Sequence, residues 1–146
     1  MNAPLYNAEI LRLATGNPCE ERLTDPMGSA ERRSALCGSR IAVDIDLDAG
    51  GHVTAIGMEV SACAYGQASA TLLARGAAGR SPEELVAARD AVAHWLSGDG
   101  ALPDWLGFAA LSAVVPHSAR HGAVRLPFEA AADAAAAAAA RRRSGT

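Results

Sequence analysis

The stretch Ile41-Ala42-Val43-Asp44-Ile45-Asp46-Leu47-Asp48 decides the fold class. Side chains alternate across a strand with a period of two, so Ile41, Val43, Ile45 and Leu47 share one face and Asp44, Asp46 and Asp48 the other. It reads as a half-buried strand, with its apolar face toward a core and its acidic face in solvent. Ala49, Gly50 and Gly51 supply turn chemistry, and from Val53 the alternation resumes with Thr54, Ile56, Met58 and Val60 on one face. The two runs predict an antiparallel hairpin.

On the N-terminal side, Leu5, Tyr6, Ile10, Leu13 and Ala14 recur at helical spacing and are followed by Thr15-Gly16-Asn17-Pro18, a stop signal. The segment from Cys19 to Ser34 has little periodicity and is expected to be loop with one irregular edge strand. On the C-terminal side, Ala64 to Arg75 forms a small-residue helix ended by Gly76. Ser81-Pro82-Glu83-Glu84 combines an N-cap, a first-turn proline and a capping-box glutamate, opening a helix that buries Leu85, Ala88, Val92 and Leu96. Another helix is expected from about Asp104 to Val115, between Pro103 and Pro116. A last one starts near His117 or Ser118 and runs through the alanine tract to Arg141-Arg142-Arg143, which suit its C-terminal dipole. The alanine run itself is low in complexity, and residues 130–146 are assigned as a helical or frayed tail without chemistry. The expected fold is α+β: a small antiparallel sheet of about three strands, helices on one face, an N-terminal helix and several C-terminal helices.

Composition narrows the function. The chain has 146 residues, of which 50% are hydrophobic and 20% charged, which suits a single globular domain over residues 1–146. The 35 alanines, with two each of Trp, Tyr and Phe, point to a small-residue, mostly helical core rather than to aromatic stacking sites. All 13 basic residues are scattered arginines and the formal net charge is -3, so there is no basic patch for nucleic acid. No apolar run approaches the roughly 20 residues of a bilayer span, and a secretory signal is not recognisable, which predicts a cytoplasmic protein without a membrane partner. The glycines fit neither a P-loop nor a dinucleotide fingerprint, and no Ser-His-Asp motif is identifiable.

Three cysteines, Cys19, Cys37 and Cys63, make an odd set that argues against a disulfide framework and for thiol or metal chemistry. Cys37 lies in the bend Leu36-Cys37-Gly38-Ser39 just before the first strand of the hairpin, and Cys63 at the exit of the second. In an antiparallel hairpin these ends are adjacent, which predicts two neighbouring thiols. The helix beginning at Ala64 sets unpaired N–H groups and a positive dipole end beside Cys63, an environment that suits a thiolate for metal binding, persulfide transfer or redox work. The competing reading is that both are small buried hydrophobes, the usual fate of free cysteine. Asp44, Asp46 and Asp48 read as a solvated strand face rather than a cation site, and His52, His94 and His117 as ordinary exposed residues.

Leu36-Cys37-Gly38-Ser39, the hairpin, Ala62-Cys63-Ala64, Ala68-Ser69-Ala70, Gly76 and Ser81-Pro82-Glu83-Glu84 together resemble the U-type iron–sulfur cluster assembly scaffolds, the family of IscU, SufU and the NifU N-terminal domain. Leu5-Tyr6, Ile10 and Asn17-Pro18 resemble that family's opening helix and its stop. Leu106 to Leu111, Pro116 to Arg120 and Leu126-Pro127-Phe128 resemble the C-terminal part of its SufU-like branch. The resemblance covers the chain to about Glu129. It implies three thiolates and a carboxylate gathered around zinc or a nascent iron–sulfur cluster, a cysteine desulfurase as partner, and clients that accept the cluster. Carried over residue by residue, the thiolates fall on Cys37 and Cys63, the carboxylate on Ser39 and the third thiolate on Ala123; the glycine before the second cysteine is Ala62.

Two thiolates fall short of the four ligands that structural zinc and iron–sulfur clusters take. Three repairs are open: His121 as an imidazole ligand, Cys19 swung in from its loop, or a homodimer in which each chain gives Cys37 and Cys63 to one bridged cluster; Ser39 would add only a weak hydroxyl ligand. The leading expectation is a scaffold-like protein that accepts sulfur and iron on Cys37 and Cys63 and passes them on. The alternatives are a metal-free interaction or regulatory paralogue that has lost the ligand set, and a thiol redox module using the same pair.

Overall fold

A computed structural model of the chain describes residues 7–35 and 38–144. Leu5, Tyr6, Leu36 and Cys37, to which the sequence reading gives roles, lie outside the described residues. The described part is α+β, as expected. Helix α1 (Ala8–Thr15) leads to strands β1 (Gly28–Arg33), β2 (Arg40–Leu47) and β3 (Val53–Ser61), followed by helices α2 (Ala64–Gly76), α3 (Pro82–Leu96) and α4 (His121–Ser144). The three strands form one antiparallel sheet in the order β1-β2-β3. The edge strand expected between Cys19 and Ser34 is β1.

Local chemistry starts the helices where the sequence places them. Asn7 caps α1 by accepting from the Ile10 N–H at 2.9 Å. At α3 the capping box is complete: the Glu84 N–H donates to Ser81 Oγ at 3.1 Å and the Ser81 N–H donates to Glu84 Oε1 at 3.0 Å. That second bond, given first by the Ser81 backbone, holds the Glu84 carboxyl below its ordinary range.

The hairpin pairs as predicted, with Ile41 opposite Val60, Val43 opposite Met58 and Ile45 opposite Ile56. One detail differs. A bulge between Asp46 and Leu47 shifts the register so that Leu47 faces Val53, not Thr54. One extra residue reverses the side-chain parity. Val53 is therefore buried and Thr54 exposed, where unbroken alternation had Thr54 in line with Ile56.

The acidic face of the sheet is covered at Asp44, whereas Asp48, just past the end of β2, is exposed. Residues 19–27 cross that face, beginning where Cys19 O accepts from the Met58 N–H at 3.0 Å on the outer edge of β3. Gly57, opposite Asp44 in the ladder, lets that segment lie flat: a Cβ there would come within 2.3 Å of Glu21 O. Beneath this cover Asp44 is fully buried, accepting from Arg22 Nε at 2.7 Å, Arg22 Nη2 at 2.9 Å, Ser29 Oγ at 2.6 Å and the Leu23 N–H at 3.0 Å. Asp46 accepts from the Met27 N–H at 2.8 Å, and Asp48 from the Gly50 and His52 N–H groups, both at 2.9 Å. Each of the three carboxylates accepts at least one backbone N–H.

The apolar face lies under α4, which also packs on α2 and α3, while α1 packs on α2. Residues 130–144 are helical as part of α4, and they pack into the core rather than trailing from it. Ala130, Ala131, Ala132, Ala134, Ala135 and Ala138 are all buried in the core. Alanine is what permits this, because the helix backbone approaches β1 so closely that a Cβ on Gly28 would lie 2.1 Å from Ala134 O and 2.5 Å from Ala138 N. Pro127 sits inside α4 and removes the donor that the Ala123 carbonyl would otherwise receive.

The helix expected over 104–115 is shorter and tighter, a 3-10 segment at Phe108–Val114. Gly107, at φ 102°, breaks it from Trp105 and Leu106. Another 3-10 turn, Ser118–Arg120, precedes α4, so the last α-helix begins at His121 rather than His117 or Ser118. No helix among the described residues is long and apolar enough to cross a membrane.

Candidate functional site

Cys63 is the N-cap residue of α2, half-buried, in extended conformation at φ -65° and ψ 171°. It ends the loop that leaves β3 at Ser61, and β3 ends there because its partner β2 begins opposite, at Arg40. The first turn of α2 is closed by the Gln67 N–H, which donates to Cys63 O at 2.9 Å, and clamped by Gln67 Nε2, which donates to Ala62 O at 3.0 Å. Gln67 therefore fixes the backbone on both sides of the thiol. The sequence reading passed over it, although a position four residues after the N-cap is where such a clamp belongs.

Cys37 itself lies outside the described residues; Ser34, Gly38 and Ser39 on either side of it are described. The Ser34 N–H donates to Ser39 O at 2.8 Å and the Gly38 N–H to Ser34 O at 3.0 Å, closing a tight loop that delivers Arg40 to β2 beside Ser61. The loop flanking Cys37 and the residue carrying Cys63 are thus at one end of the sheet. α4 begins there too: a Cβ on Gly122 would lie 2.8 Å from Ser34 Oγ.

Ala123 completes the neighbourhood. It is fully buried, and its Cβ lies 3.2 Å from where a Cβ on Gly66 would sit, while that same point is 2.7 Å from the Ala62 Cβ. Ala62, the first turn of α2 and Ala123 are therefore packed together. Ala123, to which the resemblance gives a third thiolate, thus packs on Gly66 in the first turn of α2, and its side chain there is a methyl group.

The other candidates are differently engaged. His121 is half-buried, with Nε2 2.8 Å from Val115 O and 3.0 Å from Val114 O. Two carbonyls fix Nε2 as the protonated nitrogen and leave Nδ1 as the lone-pair side. Ser39 is buried. Cys19 is bonded into the cover of the sheet at Met58, three strand residues or about 10 Å from Ser61; burial pushes its thiol pKa up, away from the thiolate a metal needs. Among the described residues no three His, Cys, Asp or Glu side chains stand together as a metal site. His52, His94 and His117 are exposed, as expected.

A crystal structure described as a nitrogen-fixing NifU-like protein (N-terminal) from Brucella abortus shares 36% sequence identity with the chain, covers 93% of it over 95% of its own length, and superposes with a TM-score of 0.84. The chain belongs to the U-type iron–sulfur scaffold family. Its fold also matches a protein assigned as an iron–sulfur cluster assembly scaffold of the SUF system from Fervidobacterium islandicum, at a TM-score of 0.81 and 17% identity over 90% of this chain and 96% of that one. A hypothetical protein of known structure matches at 0.75 and 21% identity, over 88% and 95%. No protein-family model matches the chain, and no curated protein does.

Within this U-type frame the donor set does not complete a four-ligand centre in one chain. Ser39 brings a hydroxyl where the family pattern has a carboxylate, and Ala123 brings no donor. Both departures fall in buried, packed positions.

Proposed function

We propose that this U-type protein serves iron–sulfur cluster assembly by accepting sulfur and iron on Cys37 and Cys63 and passing them to clients, with a cysteine desulfurase as the sulfur donor. The observation that carries the reading is the position of Cys63: the N-cap of α2, at the end of the sheet where the chain on either side of Cys37 enters β2, and partly rather than fully buried. Chemically, a thiolate attacks the outer sulfur of a donor persulfide, forming a new S–S bond on the acceptor cysteine and releasing the donor's thiolate. That exchange needs one accessible thiolate and no metal ligand set. The N-terminal end of α2, the positive end of its dipole, lies at Cys63. Retention of iron or zinc, by contrast, draws its remaining ligands from outside this chain, either a second copy or the receiving protein.

The packing of Ala123 makes this testable by restoration. The double variant Ala62→Gly/Ala123→Cys returns the third thiol and frees the space beside Gly66 that the Ala62 methyl fills. Zinc affinity, measured by competition with a chromophoric chelator, is expected to rise well over 10-fold above wild type, since even the loss of outer-sphere support costs metal sites about 10–100-fold. Folding of the variant is checked by circular dichroism. A folded variant whose affinity matches wild type would mean that Ala123 does not stand at the ligand position.

A further inference from the structure

The other end of α2, about 20 Å from Cys63 at 1.5 Å rise per residue, carries a second site. There α1, the C-terminus of α2 and the start of the 3-10 segment enclose an open cavity of about 580 Å³. Its floor is apolar, formed by Leu13, Leu72 and Ala110, and three guanidinium groups stand around it, those of Arg12, Arg75 and Arg80. Glu9 is the one acid among the described lining residues.

Two of the three cations have no partner among the described residues. Arg80 is held: its Nε donates to Gly76 O at 3.1 Å, its guanidinium stacks 4.4 Å from the Trp105 ring centroid, and Nη1 is 3.7 Å from Glu84. Arg12 and Arg75 make no ion pair or side-chain hydrogen bond among the described residues, and Met1–Tyr6, the described chain's neighbour beyond α1, contains no acid. The Arg75 guanidinium reaches the C-terminal end of α1, where a Cβ on Gly16 would be 3.3 Å from Arg75 Nη2 and 2.9 Å from the main-chain Arg12 O; Arg12 lines the same cavity. In a chain of net charge -3, unpaired cations over an apolar floor are a local inversion of the overall balance.

The rim is also built to present a leucine. Trp105 is buried, its Nε1 donating to Leu72 O at 2.8 Å, whereas the next residue, Leu106, is 94% exposed. Gly107 makes the reversal: its φ is 102°, and a Cβ there would meet Leu72 Cδ2 at 2.5 Å, so the turn is closed to other residues. A leucine held outward by a turn with this little freedom, at the edge of an arginine-ringed cavity, asks for an apolar partner that carries negative charge.

We propose that this cavity docks a short acidic, leucine-bearing segment of a partner protein, its apolar side chains on Leu13, Leu72 and Leu106 and its carboxylates on Arg12 and Arg75. Docking here leaves the Cys63 end of α2 free, so the site acts independently of the thiol chemistry proposed above.

The test uses the full chain and fluorescein-labelled peptides in which leucines are flanked by glutamates, with glutamine and lysine counterparts, followed by anisotropy and by backbone amide NMR shifts. The glutamate peptide is expected to bind on the order of 10-fold more tightly than the glutamine one, the sum of a few exposed charge pairs, with shifts at Leu13, Leu72 and Leu106 to Ala110. Arg12→Glu/Arg75→Glu should reverse the preference toward the lysine peptide, and Leu106→Ser should weaken all of them. Both sets of side chains are exposed, so folding is kept. Equal binding of the glutamate and glutamine peptides, shifts elsewhere, or affinity unchanged in the variants would overturn the proposal. So would displacement of the peptide by octanoate at equal concentration, which marks a small-anion pocket, or self-association of the chain that Leu106→Ser abolishes, which makes a second copy the occupant.

Discussion

Replacing Asp44 with alanine is expected to destabilise the protein by about 2–4 kcal/mol. The side chain is 1% exposed and accepts four hydrogen bonds from three residues of the covering segment and β1. Arg22 is 46% exposed and can turn to water when its partner is gone, so the ion pair itself counts for little. The larger loss is that the Leu23 N–H and Ser29 hydroxyl are left facing a cavity, at roughly 1–3 kcal/mol for each unsatisfied group. Burial alone would push the Asp44 carboxyl up; the hydrogen bonds from Arg22, Ser29 and the Leu23 N–H together outweigh it and hold the pKa below the ordinary value. A depressed folded pKa contributes stability that is complete above the unfolded value of about 3.9 and is lost as pH falls through the folded one. Urea unfolding of the wild type should therefore weaken below about pH 4 in a way that Asp44→Asn does not reproduce. Equal acid sensitivity in the two proteins would mean that Asp44 is not the group holding the cover.

Gly28→Ala is expected to cost about 3 kcal/mol or more, and Gly28→Val to prevent folding, because overpacking against an atom that cannot move exceeds the usual 1–3 kcal/mol. The atoms in the way are Ala134 O and Ala138 N, main chain of α4. A second change to a smaller side chain cannot relieve a main-chain collision, so Ala138→Gly should not rescue Gly28→Ala in a thermal melt. Rescue would show that the crossing is governed by side-chain volume and that α4 can lift from β1.

These two positions also mark where the sequence is readable and where it is not. The hairpin and the α3 start are local signals, a period of two and a capping box spanning Ser81 to Glu84, and both appear as read. The burial of Asp44 is not local. Alternation says which face a carboxylate occupies but not what crosses that face, and residues 19–27 carry no periodicity to announce that they do. The alanine tract fails as a signal for the opposite reason: a helix of one small residue has no polar face to contrast with, so its buried side is set by Gly28, more than a hundred positions earlier. The Thr54 reading was undone by a single bulge.

At the candidate site, Cys63 at a helix start was readable from its own surroundings. That Ala123 packs on the first turn of α2 was accessible only through the family resemblance, because the contact joins α2 to α4. The engagement of His121 with the carbonyls of Val114 and Val115 depends on the 3-10 turn before α4, which the sequence reading replaced with continuous helix.

The central claim is that sulfur and iron are carried by Cys37 and Cys63. It is tested most directly by incubating anaerobic protein with a cysteine desulfurase, cysteine and ferrous iron, then measuring sulfane sulfur, acid-labile sulfide and iron per chain in wild type, Cys37→Ala, Cys63→Ala and the double variant. The account predicts loading of the wild type, a large loss in each single variant and none in the double. Loading that survives in the double variant, or a folded wild type that takes up neither sulfur nor iron, would contradict it.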